Sequence, residues 1–220
     1  MDRDQLRAVS SRIGARFPRR WQRGYVVSKL RSDPAFAAIA VLMEGRELPV
    51  LDVGCGMGLL AFFLRECGFE AEYLGLDLDP RKILTARQLA GDNASTQFRE
   101  GNAAALPSFA GDVVLLDVLH YLSRADQQTL LTELAARVAP GGMLILRNVL
   151  RERSWRFRVT VIEEYLIHAM RWMRVGASYF PSREEIAEPL AAAGLALEIR
   201  PLWGNTPFNS YLIVARRPVD

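Results

Sequence analysis

The 220-residue sequence predicts an α/β protein in which a parallel sheet is covered by helices on both faces. Two observations carry this prediction. Short apolar strands alternate with helices from residue 50 to residue 148, and the connections between them are short. A glycine-rich turn also joins the first strand of the series to the helix that follows, as in α/β proteins that bind nucleotide-like cofactors.

Helices are expected before this region. Apolar residues at Leu6, Val9, Ile13 and Phe17 have helical spacing, and the pattern stops at Pro18. Further helices are predicted over 25–30 and 34–43. We therefore expect residues 1–49 to form an N-terminal helical cap.

The alternating region, 50–149, supplies the central strands and helices. Short apolar runs predict strands at 50–53, 73–76, 96–99, 113–116 and 143–148. Helices are predicted at 59–67, 80–90 and 126–138. Their ends carry the usual punctuation: Gly68 stops the first, Pro80 opens the second, and Pro140-Gly141-Gly142 follows the third.

Residues 150–181 interrupt the alternation as a helical insertion, with a long helix predicted over 156–174. A helix from Ser182 follows, with Glu185 at capping-box spacing, and two strands at 196–202 and 210–215 complete the chain. No linker or repeat separates these parts. The sequence therefore predicts one domain of seven strands, divided at residues 49, 149 and 181.

Composition excludes several classes of protein. Apolar stretches are too short to cross a bilayer, and Asp2 and Asp4 disfavour a transit peptide, so a cytoplasmic location is expected. Cys55 and Cys67 form no ligand cluster with the two histidines, so neither a disulfide nor a metal is expected. Net charge is +5 for 1–49, −5 for 50–140 and +3 for 141–220, which suggests a central module between basic accessory segments.

The turn after the first strand contains the most informative residues. Asp52 precedes Gly54, Cys55, Gly56 and Gly58, and a helix begins directly afterwards. Glycines at such a turn let a ligand approach the backbone, and the helix N-terminus offers free N–H groups. The third glycine of a dinucleotide fingerprint would fall at position 59, which is leucine, so an NAD-dependent oxidoreductase is the weaker alternative.

Asp-x-Gly-x-Gly-x-Gly at the end of a first strand resembles the loop that binds S-adenosylmethionine (SAM) in class I methyltransferases. Asp77 ends the second strand 21 residues after Gly56, where its two oxygens suit the ribose hydroxyls. The resemblance covers about residues 48–148 and the last two strands, and it implies a Rossmann-like seven-stranded sheet, SAM as cofactor and methyltransferase activity. The cofactor-binding residues it implies are Asp52, Gly54, Cys55, Gly56, Gly58, Asp77, Leu78, Asn102, Ala103 and Asp117. Asn102 stands where the family usually has an acid.

His120, in the turn after the fourth strand, is the candidate general base, and a structural or cofactor-contacting role is the alternative. Tyr25, Tyr165 and Tyr179 are candidate hydroxyl donors, of which Tyr25 is kept as a second catalytic candidate. His168 sits among apolar residues of the predicted insertion helix and is interpreted as a packing or exposed residue.

The acceptor is expected to be a small molecule or a group carried by an acyl carrier, aromatic or lipid-like. Residues 206–212 resemble small methyltransferases of bacterial aryl-polyene pigment clusters, which implies an aryl acceptor. The six arginines of 151–174 suggest contact with a phosphorylated carrier or an anionic surface, and a solvated helix face is the alternative. They are Arg151, Arg153, Arg156, Arg158, Arg171 and Arg174.

Two further alternatives come from other classes. A SAM-binding scaffold or partner subunit without turnover would keep the same loop, so only an activity measurement separates it from an enzyme. A nucleic-acid methyltransferase is not expected, because the Asn/Asp-Pro-Pro-aromatic motif of exocyclic-amine methylation is absent at residues 117–120.

Overall fold

The computed structural model describes residues 2–169, 178–204 and 206–219, with the backbone alone described for 163–169. The chain divides into two compact units, Met1–Asn102 and Ala103–Asp220. Among the described residues, no helix combines the length and the apolar character needed to cross a bilayer.

The first unit contains helices followed by three strands that alternate with helices. Its elements are α1 (Arg3–Ala15), α2 (Arg20–Ser32), α3 (Pro34–Met43), β1 (Val50–Val53), α4 (Leu59–Glu66), β2 (Tyr73–Asp77), α5 (Pro80–Ala90) and β3 (Thr96–Glu100). β2 lies between β1 and β3 and is parallel to both. α4 packs against α1 and α3, and Phe36 contacts Phe63 at 5.7 Å between ring centroids. The alternating apolar positions of these helices therefore build one core around α4.

The second unit contains the other four strands. Its elements are β4 (Asp112–Leu116), a single 3₁₀ turn (Leu119–Tyr121), α6 (Arg124–Ala135), β5 (Met143–Val149), α7 (Trp155–Ala169), α8 (Arg183–Ala192), β6 (Ala196–Pro201) and β7 (Ser210–Arg216). β4 and β5 are parallel, whereas β7 runs antiparallel to both β5 and β6. β5 and β7 are buried along nearly their whole length, as expected for inner strands of a covered sheet.

The seven strands have the order β3-β2-β1-β4-β5-β7-β6, which confirms the predicted seven-stranded α/β fold. The pairs β1–β2, β2–β3 and β4–β5 are parallel, as predicted for the alternating region, whereas β7, for which no direction was predicted, is antiparallel to its neighbours. The described residues between β6 and β7 form no helix, and without a crossover helix the chain returns in the opposite direction. The sheet is therefore mixed.

Helix boundaries follow the expected capping residues in most places. Asp33 accepts a hydrogen bond from the backbone of Ala35 and caps α3, and Ser182 and Glu185 form the predicted capping box of α8. α2 begins at Arg20, five residues before the predicted start. Its buried face starts at Gln22, a polar residue that apolar periodicity does not reveal.

Candidate functional site

The turn between β1 and α4 is held against the end of β2. The backbone N–H groups of Gly54 and Cys55 both donate to the carbonyl oxygen of Leu76, at 2.7 and 2.9 Å. Gly56 has φ of +59°, and no described atom lies within 4 Å of a Cβ built on it. Gly56 therefore presents open backbone, the arrangement that lets a cofactor approach the chain closely.

Gly58 serves a different purpose in the same turn. Its φ is +78°, and a Cβ there would lie 2.6 Å from Cζ of Phe98. The turn can therefore close onto β3 only without a side chain at this position. α4 begins directly after Gly58, so its first N–H groups face the turn.

Asp77, the last residue of β2, organises the turn through both of its carboxylate oxygens. Oδ2 accepts a hydrogen bond from the N–H of Gly56 at 2.9 Å, and Oδ1 accepts one from the N–H of Asp79 at 2.8 Å. A carboxylate has about four acceptor positions, so two remain after these bonds. The forked oxygens therefore suit the paired hydroxyls of a ribose.

The carboxyl ends of β2 and β3 bring further predicted residues close to the glycine turn. Leu78, directly after Asp77, is 64% exposed, which is unusual for a large apolar side chain and suits contact with a flat base. The N–H of Gly101 donates to the backbone oxygen of Asp77 at 3.1 Å, which brings the loop of the exposed Asn102 to the end of β2. Because parallel strands end at the same edge, the first unit brings together most of the predicted cofactor residues. They are Asp52, Gly54, Cys55, Gly56, Gly58, Asp77, Leu78 and Asn102.

The Cys55 thiol is not a nucleophile in this environment. Its side chain is buried, and burial together with the charges of Asp52 and Asp77 raises the pKa of the thiol far above its usual range. The neutral form therefore persists at physiological pH. Cys55 therefore serves as a small, buried residue of the turn.

The second unit places the remaining predicted cofactor residues. Ala103 is half-buried at its start. Asp117, directly after β4, has φ of +57°, the left-handed conformation that non-glycine residues seldom adopt, and its Oδ1 lies 3.0 Å from Nε of Arg147. Such strain is concentrated at functional sites, and the role of Asp117 in cofactor binding stays a prediction.

His120 lies in the 3₁₀ turn and is almost fully buried, with 2% of its surface exposed. Asn148 donates from Nδ2 to the backbone oxygen of Val149 at 2.8 Å, so its Oδ1 is the atom that faces Nδ1 of His120, at 3.4 Å. An amide oxygen only accepts hydrogen bonds, so this pattern assigns the imidazole proton to Nδ1. The lone pair of the neutral ring is then on Nε2.

Aromatic rings surround His120 within the second unit. Tyr121 lies 4.1 Å away between ring centroids, Phe180 stacks on the imidazole at 5.9 Å, and Phe157 meets Phe180 edge-on at 5.5 Å. Phe157 belongs to α7 and Phe180 to the segment that leads into α8. The insertion therefore contributes flat apolar surface beside the candidate base.

Gln127 fixes the backbone on which His120 sits. It is 1% exposed, and its Nε2 lies within hydrogen-bond distance of the backbone oxygens of Leu119 (2.8 Å), Leu122 (3.2 Å) and Tyr179 (2.8 Å). The backbone N–H of Ser178 in turn donates to the oxygen of His120 at 2.7 Å. Neither Gln127 nor Asn148 was predicted from the sequence. Each is a polar residue on an otherwise apolar helix face or strand, and this pattern could have indicated them.

The candidate tyrosines have different positions. Tyr25 is 45% exposed on α2, and its catalytic role stays a prediction. The hydroxyl of Tyr179 donates to Glu185 at 2.7 Å and so stabilises the start of α8. The side chains of Tyr165 and His168 lie outside the described residues.

Two arginines of the insertion have structural contacts. Arg151 lies 3.1 Å from Glu185, and Arg156 donates to the backbone oxygen of Thr206 at 2.5 Å while its guanidinium lies over the rings of Trp155 and Trp203. Arg153 and Arg158 are exposed, and Arg171 and Arg174 lie outside the described residues. Among the described residues, no group of three His, Cys, Asp or Glu side chains is arranged to hold a metal ion.

Comparison with known proteins agrees with this geometry. Residues 50–142 match the family model of a methyltransferase domain. The chain is 32% identical over 196 residues to the ubiquinone biosynthesis O-methyltransferase of Sinorhizobium medicae, and the alignment covers 80% of this chain and 75% of that protein.

Solved structures share the fold at lower identity. Magnesium protoporphyrin IX methyltransferase from Synechocystis PCC 6803, solved with bound S-adenosylhomocysteine (SAH), aligns over 98% of this chain and 100% of its own, with a TM-score of 0.65 and 21% identity. An O-methyltransferase family protein from Burkholderia thailandensis aligns over 98% of this chain and 67% of its own, with a TM-score of 0.68 and 23% identity. With the glycine turn and Asp77 at the carboxyl edge of the strands, the chain belongs to the class I SAM-dependent methyltransferase family.

Proposed function

We propose that this enzyme transfers the methyl group of SAM to a hydroxyl oxygen of a small aromatic acceptor. The observation that carries the proposal is the orientation of His120: Asn148 holds the proton on Nδ1, so Nε2 carries the basic lone pair. A phenol must lose its proton as its oxygen attacks, whereas a thiolate or free amine need not. The alignment with an O-methyltransferase supports oxygen as the acceptor atom.

The residues of the first unit fit SAM. Asp77 would hold the ribose hydroxyls, Leu78 would contact the adenine, Asn102 would accept from the adenine amino group, and the open backbone at Gly56 would admit the amino-acid end. Asp117 and Ala103 are assigned by the family resemblance to the same cofactor. Bound SAM supplies a methyl group on a sulfonium, which is open to in-line attack.

The protein's own contribution is to orient the acceptor and to move one proton. The rings of Phe157, Phe180 and Tyr121 would hold a flat acceptor beside His120. Nε2 of His120 would take the hydroxyl proton as the acceptor oxygen attacks, and the bound cofactor would supply the methyl group and keep the carbon–sulfur electron pair. Holding the reacting atoms about 3–3.5 Å apart provides much of the rate.

Two variants separate cofactor binding from proton transfer. His120→Ala should lower kcat by about 10²–10⁴-fold on a phenolic acceptor while SAH affinity stays near that of the wild type. Asp77→Ala should weaken SAH binding by about 1.5–3 kcal/mol, the scale for lost hydrogen bonds to a charged group. Calorimetry with SAH and SAM-dependent methylation of a panel of phenols measure both effects.

The outcomes distinguish the alternatives. Asp79→Ala is the matched control for Asp77→Ala, because the Asp79 side chain caps α5 and pairs with Arg81 and does not bond to the glycine turn. Loss of SAH affinity in His120→Ala would assign His120 to cofactor contact. SAH binding without turnover on any phenol, amine or thiol would favour a scaffold, and failure of the wild type to bind either SAM or SAH would remove the methyltransferase proposal.

A second feature favours an anionic surface as a binding partner. Trp155 and Ile162 are 60% and 59% exposed on α7, and Arg158 lies exposed between them at helical spacing. Aromatic and aliphatic residues beside arginine are typical of helices that rest on a lipid headgroup layer. We therefore propose that this face of α7 contacts an anionic membrane reversibly from the cytoplasm, where a lipid-like acceptor would be available.

Vesicle binding tests this surface. Arg158→Glu should weaken binding to anionic vesicles several-fold, since one basic residue contributes about 1 kcal/mol near such a surface, and added salt should reduce the difference. Arg200→Glu is the control, because Arg200 is exposed on β6 and makes the same change of charge. Equal binding by both variants would contradict the proposal. If Arg158→Glu instead changes the methylation kinetics of a carrier-linked acceptor alone, the arginines of the insertion would bind the carrier and not a membrane.

A further inference from the structure

Asp52 and Tyr73 form a buried pair that the proposed mechanism has not used. Tyr73 is opposite Val50 in the β1–β2 register, and Asp52 is opposite Gly75, so both side chains lie on one face of the sheet. The tyrosine hydroxyl donates to Oδ2 of Asp52 at 2.6 Å. Each residue has 2% of its surface exposed. A hydrogen bond this short between buried groups is a strong one.

Gly75 leaves room on this face of the sheet for Phe98 and Cys55. A Cβ at Gly75 would lie 2.6 Å from Cδ1 of Phe98 and 2.8 Å from Sγ of Cys55. The missing side chain therefore lets Phe98 lie against the sheet, where it packs against the ring of Tyr73 with 6.4 Å between the ring centroids. Phe98 thus supports the ring whose hydroxyl reaches Asp52.

The charges around Asp52 make its ionisation sensitive to that hydroxyl. The pKa of Asp52 is raised to about 7 by three causes together: burial raises it most, the hydrogen bond from Tyr73 lowers it, and the negative charge of Asp77 raises it. Burial also raises the pKa of Tyr73 and of Cys55 well above neutral, so both stay uncharged. The nearby cations are Arg65, which acts on Tyr73, and Lys82, which acts on Cys55. Of Asp52, Tyr73 and Cys55, Asp52 is thus the group whose charge changes near neutral pH.

We propose that Tyr73 is a positioning residue that favours the ionised form of Asp52 at the glycine turn, and that this negative charge raises the affinity for cationic SAM relative to its uncharged thioether product. The proposal rests on SAM being the cofactor. SAM and SAH share the amino and carboxyl groups of the amino-acid end and differ in the sulfonium charge. A buried carboxylate beside the turn therefore discriminates between them by Coulomb attraction.

The ratio of the two dissociation constants isolates this effect once each constant is corrected for the amino pKa of its own ligand, which the sulfonium lowers in SAM. In the wild type the preference for SAM over SAH should increase roughly tenfold as pH rises through the titration of Asp52. Tyr73→Phe keeps the ring and removes only the hydroxyl, so the midpoint of this increase should move up by about 1–2 pH units. Asp52→Asn should make the ratio independent of pH.

Calorimetry from pH 5.5 to pH 9, with carbon NMR titration of the Asp52 carboxyl in the free protein, gives these values. Tyr211→Phe is the matched control, because Tyr211 is a buried tyrosine that donates to Glu152 at 3.0 Å in the second unit. An unchanged midpoint in Tyr73→Phe, with lower stability alone, would make the contact structural and overturn the inference. A wild type that binds neither SAM nor SAH would instead overturn the proposed function.

Discussion

Two carboxylates at the same edge of the sheet differ because one is buried and the other is partly solvated. Asp52 is closed in between Tyr73 and the glycine turn, whereas Asp77 is partly exposed and bonded to two backbone N–H groups. The native protein retains a proton on Asp52 at pH values where the unfolded chain has lost it, since the pKa rises from 3.8 to about 7. A residue suited to discriminating ligands by charge therefore lowers the stability of the free protein near neutral pH.

This difference predicts how stability depends on pH. The contribution of Asp52 to the unfolding free energy is complete below about pH 4 and is lost as pH rises to about 7, at up to ~1.4 kcal/mol per pH unit. Asp52→Asn cannot titrate, so its stability relative to the wild type should increase over that range. Urea unfolding from pH 4.5 to pH 8 measures the difference. Parallel curves for the two proteins would contradict the expectation.

The turn between β1 and α4 is the element in which glycine is required for two distinct reasons. Gly58 and Gly68 both have positive φ, but only Gly58 also faces a neighbouring side chain, Phe98. Left-handed strain alone costs on the order of 1 kcal/mol for a non-glycine residue. A clash at 2.6 Å with a buried ring adds to that cost, because the core cannot shift freely.

Alanine at the two positions separates strain from clash. Gly68→Ala should destabilise the protein by about 1 kcal/mol, and Gly58→Ala should cost about 1–3 kcal/mol more and weaken SAH binding. Urea unfolding and calorimetry measure both quantities. Equal losses of stability would mean that Phe98 moves aside at little cost, and the turn would then tolerate small side chains.

Local signals explain why most elements were predicted to within about two residues. Pro34 and Pro80 each follow an aspartate that caps the helix. Such a pair starts a helix through contacts between residues close in sequence, so it can be recognised from the sequence alone. The site was predicted less completely. Asp77 follows from its spacing after the glycines, but the Asp52–Tyr73 contact depends on the register of β1 and β2. Register is set by the whole sheet and cannot be inferred from one strand.

At the scale of the whole molecule, the prediction of a single domain can be tested by unfolding. The seven strands belong to one sheet, so we expect one cooperative transition although the chain divides into two compact units. Circular dichroism and tryptophan fluorescence should give coincident curves. SAH at 100 times its dissociation constant should raise the free energy of unfolding by about 2.7 kcal/mol, whichever of the two signals is followed. A transition that SAH leaves unshifted would instead show that the units unfold separately.

The two ends of the helical insertion, residues 150–181, lie next to each other. The backbone N–H of Arg151 donates to the oxygen of Pro181 at 2.8 Å, so the two ends of the intervening segment meet. Closing a longer or shorter loop between fixed ends changes the free energy only slowly with length. A lineage could therefore exchange this segment as a cassette, acquiring a new acceptor while the flanking strand β5 and helix α8 stay as they are.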